Sequence, residues 1–177
     1  MEIISSELQT KEWRKSQKWY KNGKSNECEK YQMKILGENI KDKIDKTNDR
    51  IYMTTNEIKS NRNPNRDNDG FEYTENFDGK ICDENNIYYF NLKFVCENGG
   101  GAQTRTLREV YHFIKYQTKY LEKFNTKNIY FINILDGYGC YHHREKFNYL
   151  INKNTKDYIF IGDMKEFINS DLINKIK

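Results

Sequence analysis

Cysteine, proline and long apolar runs are all scarce in this chain, and each scarcity narrows what it can be. The four cysteines (Cys28, Cys82, Cys96 and Cys140) lie far apart, with no CxxC pair among them. That excludes a paired-thiol metal motif and leaves reduced thiols in a cytoplasmic protein as the expectation. Cys140 with His142 and His143 invites a zinc reading, but no second ligand pair stands at a suitable spacing. No apolar run approaches the ~18 residues of a membrane helix and no signal-peptide pattern opens the chain, so no membrane partner is expected. The single proline, Pro64, sits in a polar loop. Neither sign of charge dominates: 30 basic residues face 26 acidic ones for a net +4. Such a balance permits a polyanionic partner without demanding one.

Hydrophobic residues make up only 36% of the sequence, but aromatics alone are 15%, with 14 Tyr, 10 Phe and 2 Trp. Rings carry much apolar area per residue, so 177 residues suffice for a folded core and a single domain. Within it, residues 1–60 read as a helical amino-terminal part and 70–172 as the core.

Residues 1–20 look helical, with Leu8, Trp13 and Trp19 as apolar points among lysines. Glu27 to Ile44 has Tyr31, Ile35, Ile40 and Ile44 at roughly helical spacing, weakened in the middle by Gly37. IYMTTNEI at 51–58 reads as a short strand or a helix start. The polar stretch SNRNPNRDNDG at 60–70 is a loop whose Arg62 and Arg66, with four asparagines, suit base-edge or phosphate contacts and suit disorder equally well.

The segment from Phe71 to Lys123 carries most of the functional information. FEYTENFDGKIC and IYYFNLKFVC read as two strands of a hairpin closed by DENN. With Glu84 and Asn85 at the turn tip, Asp78 lies opposite Asn91. Lys93 is then two residues along the same face, while Leu92 and Phe94 point to the other side. Ile87, Tyr89 and Val95 share the face of Asn91 and Lys93, so that face is partly buried, and a lysine there needs an anionic partner.

A glycine-rich link, ENGGGAQTR, leads to a helix capped by Thr104 or Thr106 and running to about Lys123. Leu107, Val110, Ile114, Gln117, Leu121 and Phe124 form its core stripe. Arg105, Arg108, His112, Lys115 and Lys119 form a cationic stripe, which is either a solvated face or a phosphate-contacting one. NIYFINILDG at 128–137 and DYIFIGDM at 157–164 read as strands, each followed by a helix. The predicted fold class is α/β, a mixed central sheet flanked by helices.

An acidic residue and a lysine on adjacent strands beside a basic surface suit metal-assisted phosphodiester hydrolysis. Carboxylates supply hard oxygens for Mg²⁺, and the lysine orients water and offsets developing charge. Asp78-Gly79, with Asn91-Leu92-Lys93 following, resembles the PD-(D/E)xK signature of type II restriction endonucleases. The continuation GGGAQTRTLREVYHFIKYQ, NIYFINILDG and YIFIGDMKEFI is similar to members of that family as well, so that the resemblance spans about Gly70 to Leu172. It implies an αβββαβ core, with Asp78 as metal ligand and Lys93 as catalytic lysine. It further implies Mg²⁺ as cofactor and sequence-specific cleavage of double-stranded DNA by a homodimer, since two strands need two sites.

The sequence departs from the signature at Asn91, where a carboxylate is expected. An asparagine oxygen can ligate a metal but brings no charge. The missing acid then comes from Glu109 on the following helix, from Glu97 at the strand end, or from Glu38 on the amino-terminal helix. Alternatively, the protein binds DNA with the same fold and does not cut it. Gln103, Thr104, Arg105, Arg108 and His112 are further candidates for DNA contact.

Overall fold

A computed structural model describes residues 3–21, 23, 26–60, 72–97 and 100–176. Arg62, Arg66, Gly70 and Phe71 lie outside the described residues. The chain forms helices α1 (Lys11–Ser16), α2 (Glu27–Asn39), α3 (Gly100–Phe124), α4 (Tyr138–Asn148) and α5 (Met164–Ile168). Its strands are β1 (Asp49–Tyr52), β2 (Glu57–Ser60), β3 (Tyr73–Asn76), β4 (Gly79–Cys82), β5 (Ile87–Phe94), β6 (Ile129–Asp136) and β7 (Ile159–Gly162).

The central sheet has the order β4-β5-β6-β7. Its β4–β5 pair is antiparallel and its β5–β6 and β6–β7 pairs are parallel. The fold is therefore mixed α/β, as the sequence pattern predicts. Even-numbered β5 residues Tyr88, Phe90 and Leu92 pack with Ile35 and Leu36 of α2 and Phe167 of α5. On the other face Tyr89 packs with Phe113 and Phe131, and Val95 with Val110 and Ile114. Two-residue alternation along β5 thus gives each face its own helix layer. Among the described residues, no helix is long and apolar enough to cross a membrane.

The β4–β5 register matches the one counted from the sequence: Gly79 pairs with Phe90 and Cys82 with Ile87. The strand expected from FEYTENFDGKIC, however, is two strands. β3 belongs to a second, three-stranded antiparallel sheet of order β2-β1-β3, and only β4 joins the central sheet. The hand-over occurs at two residues: Phe77 N–H donates to Asp49 O at 3.0 Å, and Asp78 N–H to Phe90 O at 2.8 Å. Phe77 is fully buried against Tyr89, Phe113 and Phe131, which anchors the crossing.

Other boundaries also move. IYMTTNEI closes the β1–β2 hairpin, with Ile51 opposite Ile58. Residues 1–20 contain a 3₁₀ turn at Ser6–Leu8 and the short α1, capped by Thr10, in place of one helix. α2 stops at Asn39; beyond it the chain runs extended, and Asp45 exchanges backbone hydrogen bonds with Lys80 on β4. Ile40 is still buried there, so the apolar spacing is kept without the helix. α3 starts at Gly100, so Thr104 and Thr106 bond back to the carbonyls of Gly100 and Ala102 from inside it and do not cap it. Of its expected stripe, Val110, Ile114, Gln117 and Leu121 are buried and Leu107 packs against the core, whereas Phe124 is exposed at the helix end. The expected carboxy-terminal helix is α5 plus a 3₁₀ turn at Ile173–Lys175.

Candidate active site

β4 begins only at Gly79, one residue after Asp78, so β5 loses its antiparallel partner just where Leu92 and Lys93 stand. Asp78 fills the gap: its Oδ2 accepts the Leu92 N–H at 2.6 Å, taking the place of the carbonyl a longer β4 would provide. Gly79 is needed beside it, because a Cβ there would lie 2.5 Å from Ile44 Cγ2 and 3.0 Å from Met33 Cε. Burial pushes the Asp78 carboxyl up to about 6, with Glu29 and Glu75 adding to the rise while Lys93 and the Leu92 N–H oppose it.

Lys93 Nζ is 2.5 Å from Glu75 Oε2 on β3, and its side chain is only 20% exposed. Burial pulls its pKa down, but Glu75, Asp78 and Glu109 outweigh that and hold it above the ordinary lysine value. Lys93 is therefore fully charged at neutral pH, a cation set among carboxylates. Glu109, on one face of α3, is raised by burial and by the Glu75 carboxylate within hydrogen-bonding reach, against Lys93 and Arg105. Two carboxylates that close hold a proton or a cation between them.

The sequence-derived residues thus divide. Asp78, Lys93 and Glu109 come together in one charged group. Asn91 shares the face of Lys93 but bonds elsewhere. Its side chain is 1% exposed and its Nδ2 donates to Asn133 Oδ1 at 2.9 Å. Asn133 in turn exchanges hydrogen bonds of 2.8 and 3.0 Å with Gln117 of α3. The Asn91 Nδ2 is thus tied into a buried chain joining β5, β6 and α3, while its Oδ1, the atom a metal would need, is buried without a hydrogen-bond partner among the described residues. Glu38 lies exposed near the end of α2, paired with Lys34 at 3.8 Å, and Glu97 is exposed beyond β5; neither lines the site.

Two acidic residues of the site escape sequence reading. Glu75 and Asp78 are three apart, which on an unbroken strand puts them on opposite faces; the change of sheet at Phe77 and Asp78 undoes that parity. Glu29 comes from the exposed-looking start of α2, with only its position one turn before the buried Gln32 as a signal.

Two cavities flank the Glu75–Glu109 pair and share it as a wall. One, of about 400 Å³, is lined by Arg14, Glu29, Lys93 and Thr106. The other, of about 380 Å³, lies between β3 and α3 and is lined by Tyr73, Arg105, Arg108, His112 and Phe113. Of the cationic stripe on α3, Arg105, Arg108, His112 and Lys115 are exposed, and Lys119 lies over the Tyr116 ring at 4.6 Å. His112 is shifted down by burial and by Lys115 and Lys119. Gln103 and Thr104 sit on the first turns of the same helix, half-buried and exposed.

As to metal binding, Glu75, Glu109 and Asp78 offer hard oxygen donors, and the close Glu75–Glu109 pair is a place where a dication would relieve repulsion. No group of three or more Asp, Glu, His or Cys is already arranged around a common metal position among the described residues. Comparison of the chain with protein-family models, with curated proteins and with solved structures finds no match.

Proposed function

We propose that this chain is a Mg²⁺-dependent nuclease that hydrolyses phosphodiester bonds of double-stranded DNA at a specific sequence, working as a homodimer so that each strand meets one site. The reading rests on the charged group around Lys93: one half-buried cation ion-paired with Glu75 and raised further by Asp78 and Glu109, at the foot of a helix that exposes Arg105, Arg108 and His112. Phosphodiester hydrolysis needs such a division, with charge to hold the phosphate and a fixed polar group to place water.

Glu75 and Glu109, with Asp78, would hold the metal, which when bound polarises the phosphate and makes water more acidic. Lys93 contributes independently. Its ammonium is pinned by Glu75, so it can orient a water and offset the charge that grows on the phosphate oxygens. Asp78 keeps the Leu92–Lys93 backbone in place through the Leu92 N–H. Arg105 and Arg108 supply phosphate contacts from the first turns of α3.

A second reading, a DNA-binding protein of this architecture that does not cut, draws on the Asn91 amide chain: the position where the signature places a carboxylate is occupied by a packing residue. Digestion of a mapped plasmid with the purified protein and Mg²⁺, followed by sequencing of fragment ends, separates the two. Discrete ends at one sequence support the nuclease. Intact DNA of varied, unmethylated sequence, together with salt-sensitive binding, supports the second reading.

A further inference from the structure

The cavity between β3 and α3 has features that a face for backbone phosphates does not need. Its volume of about 380 Å³ falls at the lower end of the range for small-ligand sites. Tyr73 forms one wall, half-buried, its ring held 4.8 Å from Tyr52 at an interplanar angle of 39°. Phe113 closes the floor and is 3% exposed. At the rim, Arg105 and Arg108 are exposed, and neither guanidinium is hydrogen-bonded or ion-paired within 4 Å to another described residue. Glu75 and Glu109 form the wall shared with Lys93. The cavity therefore combines an aromatic face, two cations without a hydrogen bond or ion pair to another described residue, and two carboxylates whose oxygens can accept N–H groups. A nucleotide presents the complementary set: a flat ring, a phosphate and an exocyclic amine.

We infer that this cavity is a pocket for a single nucleotide, holding one residue of the DNA with its base turned out of the stack. The base lies against Tyr73 over Phe113, its N–H edge meets the carboxylate wall, and the phosphate rests on Arg105 and Arg108. A base taken from a duplex must lose its stacking and pairing, and an aromatic pocket returns part of that loss. Because Glu75 and Glu109 belong both to this pocket and to the Lys93 group, a nucleotide seated here fixes the neighbouring phosphodiester beside Lys93. Phosphate contact alone would explain Arg105 and Arg108, but neither the recess nor the Tyr73 wall. The inference rests on the nucleic-acid reading of the Lys93 site, and its test is independent of cutting.

The test titrates the intact protein in EDTA with each 5′-deoxymononucleotide and with inorganic phosphate. A fully paired duplex is then compared with the same duplex carrying one central bulged nucleotide. At least one mononucleotide should bind about tenfold more tightly than phosphate, and the bulged duplex about tenfold more tightly than the paired one, as expected for one recovered stacking contact. Tyr73→Ala and Arg108→Ala should abolish both preferences, and Tyr149→Ala, at an 86% exposed tyrosine, should leave them. Arg108 is exposed, so its variant tests the pocket even where Tyr73→Ala weakens the fold. Mononucleotides binding no better than phosphate, or preferences unchanged by both variants, overturn the inference. Nucleotide binding through Tyr73 and Arg108 without any cleavage in Mg²⁺ leaves the pocket standing and removes the nuclease; cleavage without nucleotide preference removes the pocket alone.

Discussion

Replacing Asp136 with asparagine should make the protein less sensitive to alkali, by an amount the structure allows to be worked out. Asp136 ends β6 and is 1% exposed. Its Oδ1 accepts from Met164 N at 3.2 Å and Ser6 Oγ at 3.4 Å, and its Oδ2 from Gln32 Nε2 at 2.8 Å. Gln32 Nε2 also reaches Lys93 O at 3.1 Å, so this carboxyl ties the amino-terminal segment, α2 and α5 to the strand that carries Lys93. Burial raises it from 3.8 to about 7, with Asp163 adding to the rise and the three donors opposing it.

The folded pKa lies above the unfolded one, so the folded state binds the proton more tightly. The resulting stability is fully present below about pH 4 and lost as pH rises through 7. At about 1.4 kcal/mol for each tenfold gain in proton affinity, the rise amounts to about 4 kcal/mol, of which about 3 kcal/mol falls between pH 4.5 and 8.5. Asparagine removes this titration and leaves an oxygen for Ser6 and Met164. Its new amide N–H groups meet Gln32 Nε2, itself a donor held by the Lys93 carbonyl, so the substitution carries a fixed cost at every pH that drops out of the comparison between pH values. Urea unfolding of both proteins across that pH range gives the difference in stability directly, and titrating groups that do not interact with Asp136 cancel in it. Asp136→Asn should gain on the parent by about 3 kcal/mol from pH 4.5 to 8.5. A difference that stays flat, or one that moves in favour of the parent, would mean that Asp136 is not held protonated by its burial.

Other positions give sharper structural outcomes. Asn91→Leu removes the donor to Asn133 and should cost roughly 1–3 kcal/mol in urea unfolding; if Asn91 serves only the buried amide chain, DNA cleavage by the protein still folded persists. Gly137 has φ of +91° and a Cβ there would fall on the Val95 carbonyl, so Gly137→Ala should lower stability by about 2 kcal/mol or more, read from the denaturation midpoint. The double variant Arg105→Ala, Arg108→Ala should bind DNA more weakly and flatten the plot of log K against log salt by roughly two in slope, measured by fluorescence anisotropy.

Much of the architecture was legible because β5 obeys its alternation. Tyr88, Phe90 and Leu92 against Tyr89, Asn91 and Lys93 fixed the faces, and counting from the DENN turn fixed the register that Gly79–Phe90 shows. A lysine on a partly buried face requires carboxylates, and Glu109 stands among those the structure supplies. What alternation cannot show is a strand that changes sheet midway. Glu75 reads as facing away from Asp78 until the chain crosses at Phe77, where long-range bonds to Asp49 and Phe90 decide its path. The role of Asn91 was equally hidden, since its partners Asn133 and Gln117 are 42 and 26 positions away and meet it only through the parallel β5–β6 pair and the packing of α3. The amino-terminal segment lacked a readable pattern for a similar reason: it is held by Asp163 and Gly137, which bond to Ser6 and Gln9.

The charges of the site also depend on one another. Asp78 closes a sheet edge, Glu75 and Glu109 stand close enough to share a proton, and Lys93 neutralises part of the charge of all three. Removing the lysine should therefore do more than delete one contact: Asp78 and Glu109 lose the cation that opposes their rise and become harder to ionise.

Lys93→Ala is accordingly the substitution on which the nuclease proposal stands or falls. The measurement is the cleavage rate of plasmid DNA in Mg²⁺ by the parent and by Lys93→Ala, each shown by circular dichroism to be folded. The parent should cut and the variant should lose at least about a hundredfold in rate, the scale of a positioned proton-handling group. Equal rates in the two proteins would contradict the proposal.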